Sequence, residues 1–181
     1  MVSPVTVIAE AGVNHNGSLE LGMQLIDAAV EAGADVVKFQ SFVAGSLVSR
    51  NAPKAEYQKQ TTGSEESQYE MLKALELSPE AHVALKDYCD ECGIEFLSTP
   101  FDLASLAYLV DELKVARLKI GSGDMNNAPL LVAAGVSGLP VILSTGMATL
   151  DDVRESLGAL AFGYLGGGSP GREAFAEAFG D

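Results

Sequence analysis

The amino-acid sequence predicts an α/β fold of the (β/α)8 TIM-barrel type, incomplete, with about five βα units present. Two observations predict it. Short apolar runs rich in β-branched residues alternate with amphipathic stretches, which is typical of parallel strands connected by helices. Each run also ends in polar or glycine-containing residues, and the ends of parallel strands converge on one rim where ligands bind. A doubly wound open sheet concentrates its polar loops at one switch point, so polar ends on every run favour the barrel.

The first βα unit shows this alternation clearly. Residues 5–9 are predicted to form a strand buried on both faces, because the run is short, apolar and β-branched. Ser18 is predicted to cap a helix over residues 19–32, and Gly33 to end it. A second, parallel strand is predicted over residues 35–40. The buried face of the helix is predicted to contain Leu21, Leu25, Ala28 and Ala29.

The later elements repeat the pattern. The remaining strands are predicted over residues 94–98, 116–120 and 141–144. Helices are predicted over residues 69–75, 79–92 and 102–112, then from Asn127 to Gly135, and from Thr149 or Asp151 onward. Asp102 can cap the third of these helices, and Pro129 lies near the first turn of the fourth, where its missing N–H is harmless.

The length sets the domain prediction. An eight-unit barrel needs about 250 residues, more than the 181 of this sequence. Residues 1–162 are therefore expected to be the N-terminal part of a barrel. Residues 163–181 are expected to be a glycine-rich segment followed by a short helix over residues 172–179, and no sixth strand is predicted.

The charge balance excludes several classes of protein. The sequence has 11 Lys and Arg against 25 Asp and Glu, a net charge of −14, which leaves too few basic residues for a nucleic-acid groove. No apolar run approaches the roughly 18 residues of a membrane span, and the start lacks the segments of a secretory signal. We therefore expect a cytoplasmic protein that acts on a small molecule, with neither nucleic acid nor membrane as a partner.

Two lysines in strand positions indicate where chemistry takes place. Lys38 lies two residues before Gln40, so both side chains are predicted on one face of the second strand. Lys119 holds the matching place on the fourth strand. A lysine inside an apolar run destabilises the fold unless it meets an anion. That anion is either a neighbouring carboxylate, Glu10 or Asp124, or a ligand, and two lysines at one rim favour a ligand.

The turns after two strands favour a phosphate. The sequences Gly-Ser-Gly at 121–123 and Ser-Thr-Gly at 144–146 offer backbone N–H groups and short hydroxyls suited to phosphate oxygens. Together with the lysines they indicate a phosphorylated carboxylate or a sugar phosphate as ligand. Glu10, at the end of the first strand, is a candidate general base or an ion-pair partner of Lys38.

The histidines and cysteines are assigned structural places. His15 is expected to be a hydrogen-bonding element of its loop, and His82 is expected to be solvated on a helix. Cys89 and Cys92 have Cys-x-x-Cys spacing, but a redox pair would place the first cysteine at a helix N-terminus and a zinc site would need about four ligands. They are therefore expected to be packing residues.

Five segments, in order and with natural spacing, resemble the N-acetylneuraminate (sialic acid) synthase family, which includes the synthases of legionaminic and pseudaminic acids and of spore-coat polysaccharide precursors. The segments are residues 8–17 (IAEAGVNHNG), 33–40 (GADVVKFQ), 96–102 (FLSTPFD), 118–123 (LKIGSG) and 141–147 (VILSTGM). The resemblance covers the chain from about Val5 to Leu160, and this stretch corresponds only to the N-terminal part of a family member.

The resemblance implies a phosphoenolpyruvate-dependent condensation with an N-acetylated amino-sugar aldehyde, N-acetylmannosamine or a related 2,4-diacetamido sugar. The products are a nonulosonic acid and phosphate. Glu10 would orient water or act as the acid/base group, and Gln40 would face the sugar. Family members usually have Glu where this sequence has Asp124, so that catalytic carboxylate is kept but withdrawn by a methylene. By motif position, the residues that contact phosphoenolpyruvate are Lys38, Thr99, Lys119, Ser122 and Ser144.

The resemblance also implies parts that this sequence does not contain. The family's divalent metal, Mn or Mg, is held by two histidines of later strands; His15 and His82 match neither, so those ligands would lie beyond Asp181. The antifreeze-like C-terminal domain, which completes the site across a homodimer, is also absent. The chain is therefore expected to be incomplete for catalysis. Two alternatives stay open: a Schiff-base aldolase that uses Lys38 or Lys119, and a non-catalytic remnant that binds a phosphorylated ligand.

Overall fold

The structure, a computed structural model, describes residues 5–49 and 67–180. Its strands are β1 (Ile8–Gly12), β2 (Val36–Ser41), β3 (Glu95–Pro100), β4 (Leu118–Ile120) and β5 (Val141–Leu143). Its helices are α1 (Leu19–Glu31), α2 (Ala44–Leu47), α3 (Gln68–Leu75), α4 (Pro79–Cys92), α5 (Leu103–Ala107), α6 (Ala128–Val136), α7 (Leu150–Tyr164) and α8 (Arg172–Gly180). The chain forms two compact units, Met1–Phe96 and Leu97–Asp181.

The first unit is built on the parallel pair β1 and β2, beside which β3 begins in the order β1-β2-β3. The N–H of Glu95 donates to the carbonyl of Asp35 at 3.1 Å, which fixes the start of β3. Phe39 on β2 stacks against Phe96 on β3 with ring centroids 5.5 Å apart. Both rings are buried, so this stack forms part of the core that holds β2 in place.

Helix α1 begins and ends as the sequence predicts, but its buried face is different. Ser18 accepts a hydrogen bond from the N–H of Leu21 and caps the helix. The buried residues are Gly22, Ile26 and Ala29, whereas Leu21 is 39% exposed. The cause is close packing on α4. A Cβ at Gly22 would come within 2.8 Å of Leu85 Cδ2. The face of α1 that contains Gly22 therefore packs against α4.

The first strand starts later than predicted. The β1–β2 ladder begins at the pair Ile8 and Val36, and Val5 and Val7 lie before it, 85% and 53% exposed. The prediction of a strand over residues 5–9 buried on both faces is therefore wrong at its beginning. Apolar β-branched residues alone do not set the register, which here depends on where β2 can pair.

The second unit contains the parallel pair β4 and β5 and the packed helices α5, α6, α7 and α8. The polar caps predicted from the sequence are present, because Asn127 caps α6 and Thr149 caps α7 in a capping box with Asp152. The helix predicted over residues 102–112 is α5 followed by a π-helical turn at Tyr108–Glu112. Both units are therefore α/β, with parallel strands connected by helices. Within the described ranges, no helix is long and apolar enough to cross a membrane.

Candidate functional site

In the first unit, Lys38 and Glu10 form an ion pair. The two residues are paired in the β1–β2 ladder, and Lys38 Nζ contacts Glu10 Oε2. The Lys38 side chain is only 13% exposed and that of Glu10 is 53% exposed, so the pair reaches from the sheet to the surface. A carboxylate of the chain is thus one partner of this lysine. A ligand at Lys38 would join the ion pair or replace Glu10 in it.

Gln40 lies on the same face of β2 as Lys38. Both are half-buried, and the residues between and beside them, Val37, Phe39 and Ser41, are buried. The alternation predicted from the sequence is confirmed, because side chains two residues apart share a face of a strand. The neighbouring Gly12, which follows a register shift in β1 and has a φ of +56°, is not among the site residues predicted from the sequence. The signal was available, since a glycine in a strand often marks a bulge.

In the second unit, Lys119 is half-buried in β4 between Leu118 and Ile120, both of which are buried. Its Nζ donates to the carbonyl of Ile120 at 2.7 Å. The N–H of Ser144 donates to the same carbonyl at 3.0 Å. The lysine and the first residue of the Ser-Thr-Gly turn are therefore brought to one point at the end of β4.

The two predicted phosphate-binding turns lie against each other. A Cβ at Gly146 would come within 3.4 Å of Ser122 Oγ. Ser122 opens a 3-10 turn, Ser122–Asp124, directly after β4. The structure thus brings together the Ser122 hydroxyl and the turn that begins at Ser144, as expected when parallel strands place their carboxyl ends at one edge.

Asp124 ends the 3-10 turn in a partly buried position. Burial raises the pKa of its carboxyl, and a hydrogen bond with the side chain of Asn127 opposes that rise. Asn127 also accepts from the N–H of Leu130 as the cap of α6. A titratable group whose pKa is shifted by burial is a candidate functional residue, and Asp124 is one by this criterion.

Thr99, near the end of β3, carries an unsatisfied hydroxyl. The residue is 3% exposed, and among the described residues its Oγ1 has no hydrogen-bond partner. A buried hydroxyl without a partner destabilises a folded protein, and such groups are rare in native structures. The hydroxyl is therefore available to a ligand.

The two histidines are both buried. His15 accepts a hydrogen bond on Nδ1 from the N–H of Gly17 at 3.0 Å, in agreement with its predicted role in the loop. The prediction that His82 is solvated is wrong: it is 5% exposed, its Nδ1 donates to the Ser78 carbonyl at 3.0 Å and its Nε2 accepts from Ser41 Oγ at 2.8 Å. Burial is the main cause that lowers the pKa of each imidazole.

Cys89 is a packing residue, as predicted, whereas Cys92 is only partly buried. Cys89 lies near the end of α4, fully buried, and burial raises the pKa of its thiol to about 12. Both Cys89 and Cys92 are free thiols. A thiol with so high a pKa is a poor nucleophile and metal ligand, because the reactive form is the thiolate.

The described residues do not fit the divalent metal that the resemblance implies. Within residues 5–49 and 67–180, no group of three or more His, Cys, Asp or Glu side chains is arranged to hold a metal ion.

Fold and site together define an α/β protein whose parallel strands end in cationic and hydroxyl side chains. Residues 25–174 match the model of the NeuB family, and the chain belongs to that family. It is 52% identical over 151 residues to the N,N'-diacetyllegionaminic acid synthase of Legionella pneumophila, covering 83% of this chain and 42% of that protein. It is 49% identical over 154 residues to the enzyme of the same name from Campylobacter jejuni, covering 85% of this chain and 46% of that protein.

A solved structure agrees with this assignment. The crystal structure of N-acetylneuraminic acid (sialic acid) synthetase from Leptospira borgpetersenii, in complex with citrate, is similar with a TM-score of 0.74 and 33% identity. The match covers 90% of this chain and 52% of that chain. The resemblance stated from the five segments is confirmed. The chain spans less than half of the length of the two synthases from Legionella and Campylobacter.

Proposed function

We propose that this chain is the donor-binding part of a phosphoenolpyruvate-dependent nonulosonic acid synthase. The observation that carries the proposal is the match of residues 25–174 to the NeuB family, because those residues include both lysines and both hydroxyl-rich turns. Relatives that match the chain are named as synthases of legionaminic, N-acetylneuraminic and pseudaminic acids. The five strands would then be the first five of a (β/α)8 barrel, with residues 1–162 as the barrel part and 163–181 as a glycine-rich segment and helix.

The donor substrate, phosphoenolpyruvate, is a small, strongly negative molecule with a phosphate and a carboxylate. Two ammonium groups, Lys38 and Lys119, would neutralise it. Three hydroxyls, those of Thr99, Ser122 and Ser144, would donate hydrogen bonds to its oxygens. Charge-assisted hydrogen bonds of this type are stronger than neutral ones, and they place the donor in a fixed orientation. The unsatisfied hydroxyl of Thr99 supports this role, since a bound anion would supply its partner.

The reaction joins two carbons and releases phosphate. Carbon 3 of phosphoenolpyruvate attacks the aldehyde carbon of an open-chain N-acetylated amino sugar, and the aldehyde oxygen takes up a proton. Water then adds to the cationic carbon 2, and phosphate leaves with its bridging oxygen as the C–O bond breaks. Glu10 would orient that water or exchange its proton, Asp124 would be the second acid/base group, and Gln40 would face the sugar. In the whole protein we expect a homodimer in the cytoplasm.

Calorimetric titration of the chain with phosphoenolpyruvate tests the proposal. We expect saturable binding, and weaker binding of pyruvate or inorganic phosphate, because each of these lacks one of the two anionic groups. With Mn²⁺ and N-acetylmannosamine present we expect no phosphate release above the uncatalysed rate, because the chain matches less than half of each of the two legionaminic acid synthases. Binding of phosphoenolpyruvate no tighter than that of phosphate would contradict the proposal. Rapid phosphate release would show that this part of the protein is sufficient for catalysis.

A further inference from the structure

The end of β1 contains a local irregularity beside the Lys38–Glu10 pair. In the parallel ladder, Glu10 pairs with Lys38 and Gly12 pairs with Phe39, so Ala11 is an extra residue in β1. Gly12 follows it with a φ of +56°, in the left-handed region that favours glycine. Bulges of this kind bend a strand and redirect a side chain, and they are frequent next to functional sites.

The missing side chain of Gly12 is what leaves room for two polar groups. A Cβ at this position would lie 3.1 Å from Glu10 Oε1 and 3.5 Å from Gln40 Nε2. The Glu10 carboxylate and the Gln40 amide therefore both lie close to the position that a Cβ of residue 12 would occupy. The first of these separations is tighter than ordinary van der Waals contact, so a methyl group there would push the carboxylate away.

We propose that Gly12 is a positioning residue, which holds the Glu10 carboxylate between Lys38 and Gln40 by presenting no side chain at the point where they converge. The Glu10 carboxylate is the flexible end of a half-exposed side chain, so a methyl group at Gly12 would displace it with little loss of stability. The consequence of a side chain at Gly12 is therefore a displaced carboxylate and a loosened Lys38, not an unfolded chain. The effect on donor binding rests on the proposed function; the effect on the ion pair does not.

Gly33 provides a matched control for the backbone. It lies in the same unit, at the end of α1, with a φ of +74°, and a Cβ there would meet nothing within 4 Å. Gly12→Ala and Gly33→Ala therefore impose a similar backbone strain, but only the first touches Glu10 and Gln40. The urea midpoints of the two variants are expected to be lowered equally.

The rate at which a dilute amine-acylating reagent modifies Lys38, measured by peptide-resolved mass spectrometry, tests the inference without any ligand. We expect acylation about 3-fold faster in Gly12→Ala, the scale on which one part-exposed ion pair shifts an equilibrium, and no change in Gly33→Ala. In a Glu10→Ala background, Gly12→Ala is expected to add nothing, because no carboxylate is left to displace. Equal rates in the two glycine variants, or an undiminished effect in the Glu10→Ala background, would overturn the inference.

Titration with phosphoenolpyruvate then separates the two proposals. If Gly12 positions the donor site, Gly12→Ala weakens binding several-fold more than Gly33→Ala. If the unmodified chain does not bind phosphoenolpyruvate, the proposed function fails, and the acylation rates still decide the role of Gly12. Should Gly12→Ala fail to fold, Gly12→Asn replaces it, with Gly33→Asn as control, since asparagine tolerates a positive φ better than other residues.

Discussion

Replacing Lys38 by methionine is expected to weaken phosphoenolpyruvate binding by about 30-fold or more, the loss that follows removal of a charge-assisted hydrogen bond. The lysine side chain is 13% exposed, so its ammonium is held in place and little screened by water. The released Glu10 side chain is 53% exposed and stays hydrated, so the fold is expected to survive. Calorimetric titration of the variant measures the change.

Lys86→Met is the control for net charge. Lys86 lies on α4 of the same unit and pairs with the exposed Asp90 at 2.7 Å, one helical turn away. Such a surface pair contributes little, so binding of phosphoenolpyruvate is expected to stay within about 2-fold of the unmodified chain. If Lys38→Met and Lys86→Met bound phosphoenolpyruvate equally well, Lys38 would have no part in the donor site.

The largest loss of stability is expected for Gly135→Ala, about 3 kcal/mol, at the upper end of the range for overpacked interiors. Helices α6 and α7 pack directly on each other at this point. A Cβ at Gly135 would overlap the carbonyl oxygen of Leu160 and lie 2.9 Å from Gly163 Cα. Both neighbours are backbone, which cannot turn aside as a flexible side chain can, so the two helices must separate. Urea unfolding followed by circular dichroism measures the loss.

Gly168→Ala is the matched control in the same unit, because a Cβ there meets nothing within 4 Å and the residue needs no positive φ. We expect its free energy of unfolding to lie within about 0.5 kcal/mol of the unmodified chain. Hydrogen exchange is expected to show lost protection in α6 and α7 of Gly135→Ala. An unfolding midpoint for Gly135→Ala equal to that of Gly168→Ala would show that the helices are not in direct backbone contact.

Much of the secondary structure could be predicted because its signals are local. Helix α4 has the predicted limits, since Ser78 caps it, Pro79 opens it and Gly93 follows it with a φ of +73°. The π-helical turn and the buried side of α1 could not be predicted in this way, because both depend on packing between elements distant in sequence. The same holds for His82, which is buried and hydrogen-bonded to Ser41, a residue 41 positions earlier in the sequence.

In the candidate site, too, the features with local signals could be predicted and those that depend on tertiary structure could not. That Lys38 and Gln40 share a face follows from the period of a strand, and it needs no tertiary information. The partner of Lys38 stayed open between a carboxylate and a ligand, because the choice depends on the register that sets Glu10 opposite it. The glycine at the end of β1 signals a bulge, but the closeness of Gly12 to Glu10 and Gln40 depends on the pairing of β1 with β2, which a sequence pattern does not give.

Donor binding by this chain is tested most directly by asking whether phosphoenolpyruvate shields two particular lysines. The acylation rates of Lys38, Lys119 and Lys86 would be measured by mass spectrometry, with and without saturating phosphoenolpyruvate. Donor binding by both ammonium groups predicts that modification of Lys38 and Lys119 slows together while that of Lys86 is unchanged. Unaltered rates at Lys38 and Lys119, under conditions where calorimetry shows phosphoenolpyruvate bound, would show that these two lysines do not hold the donor.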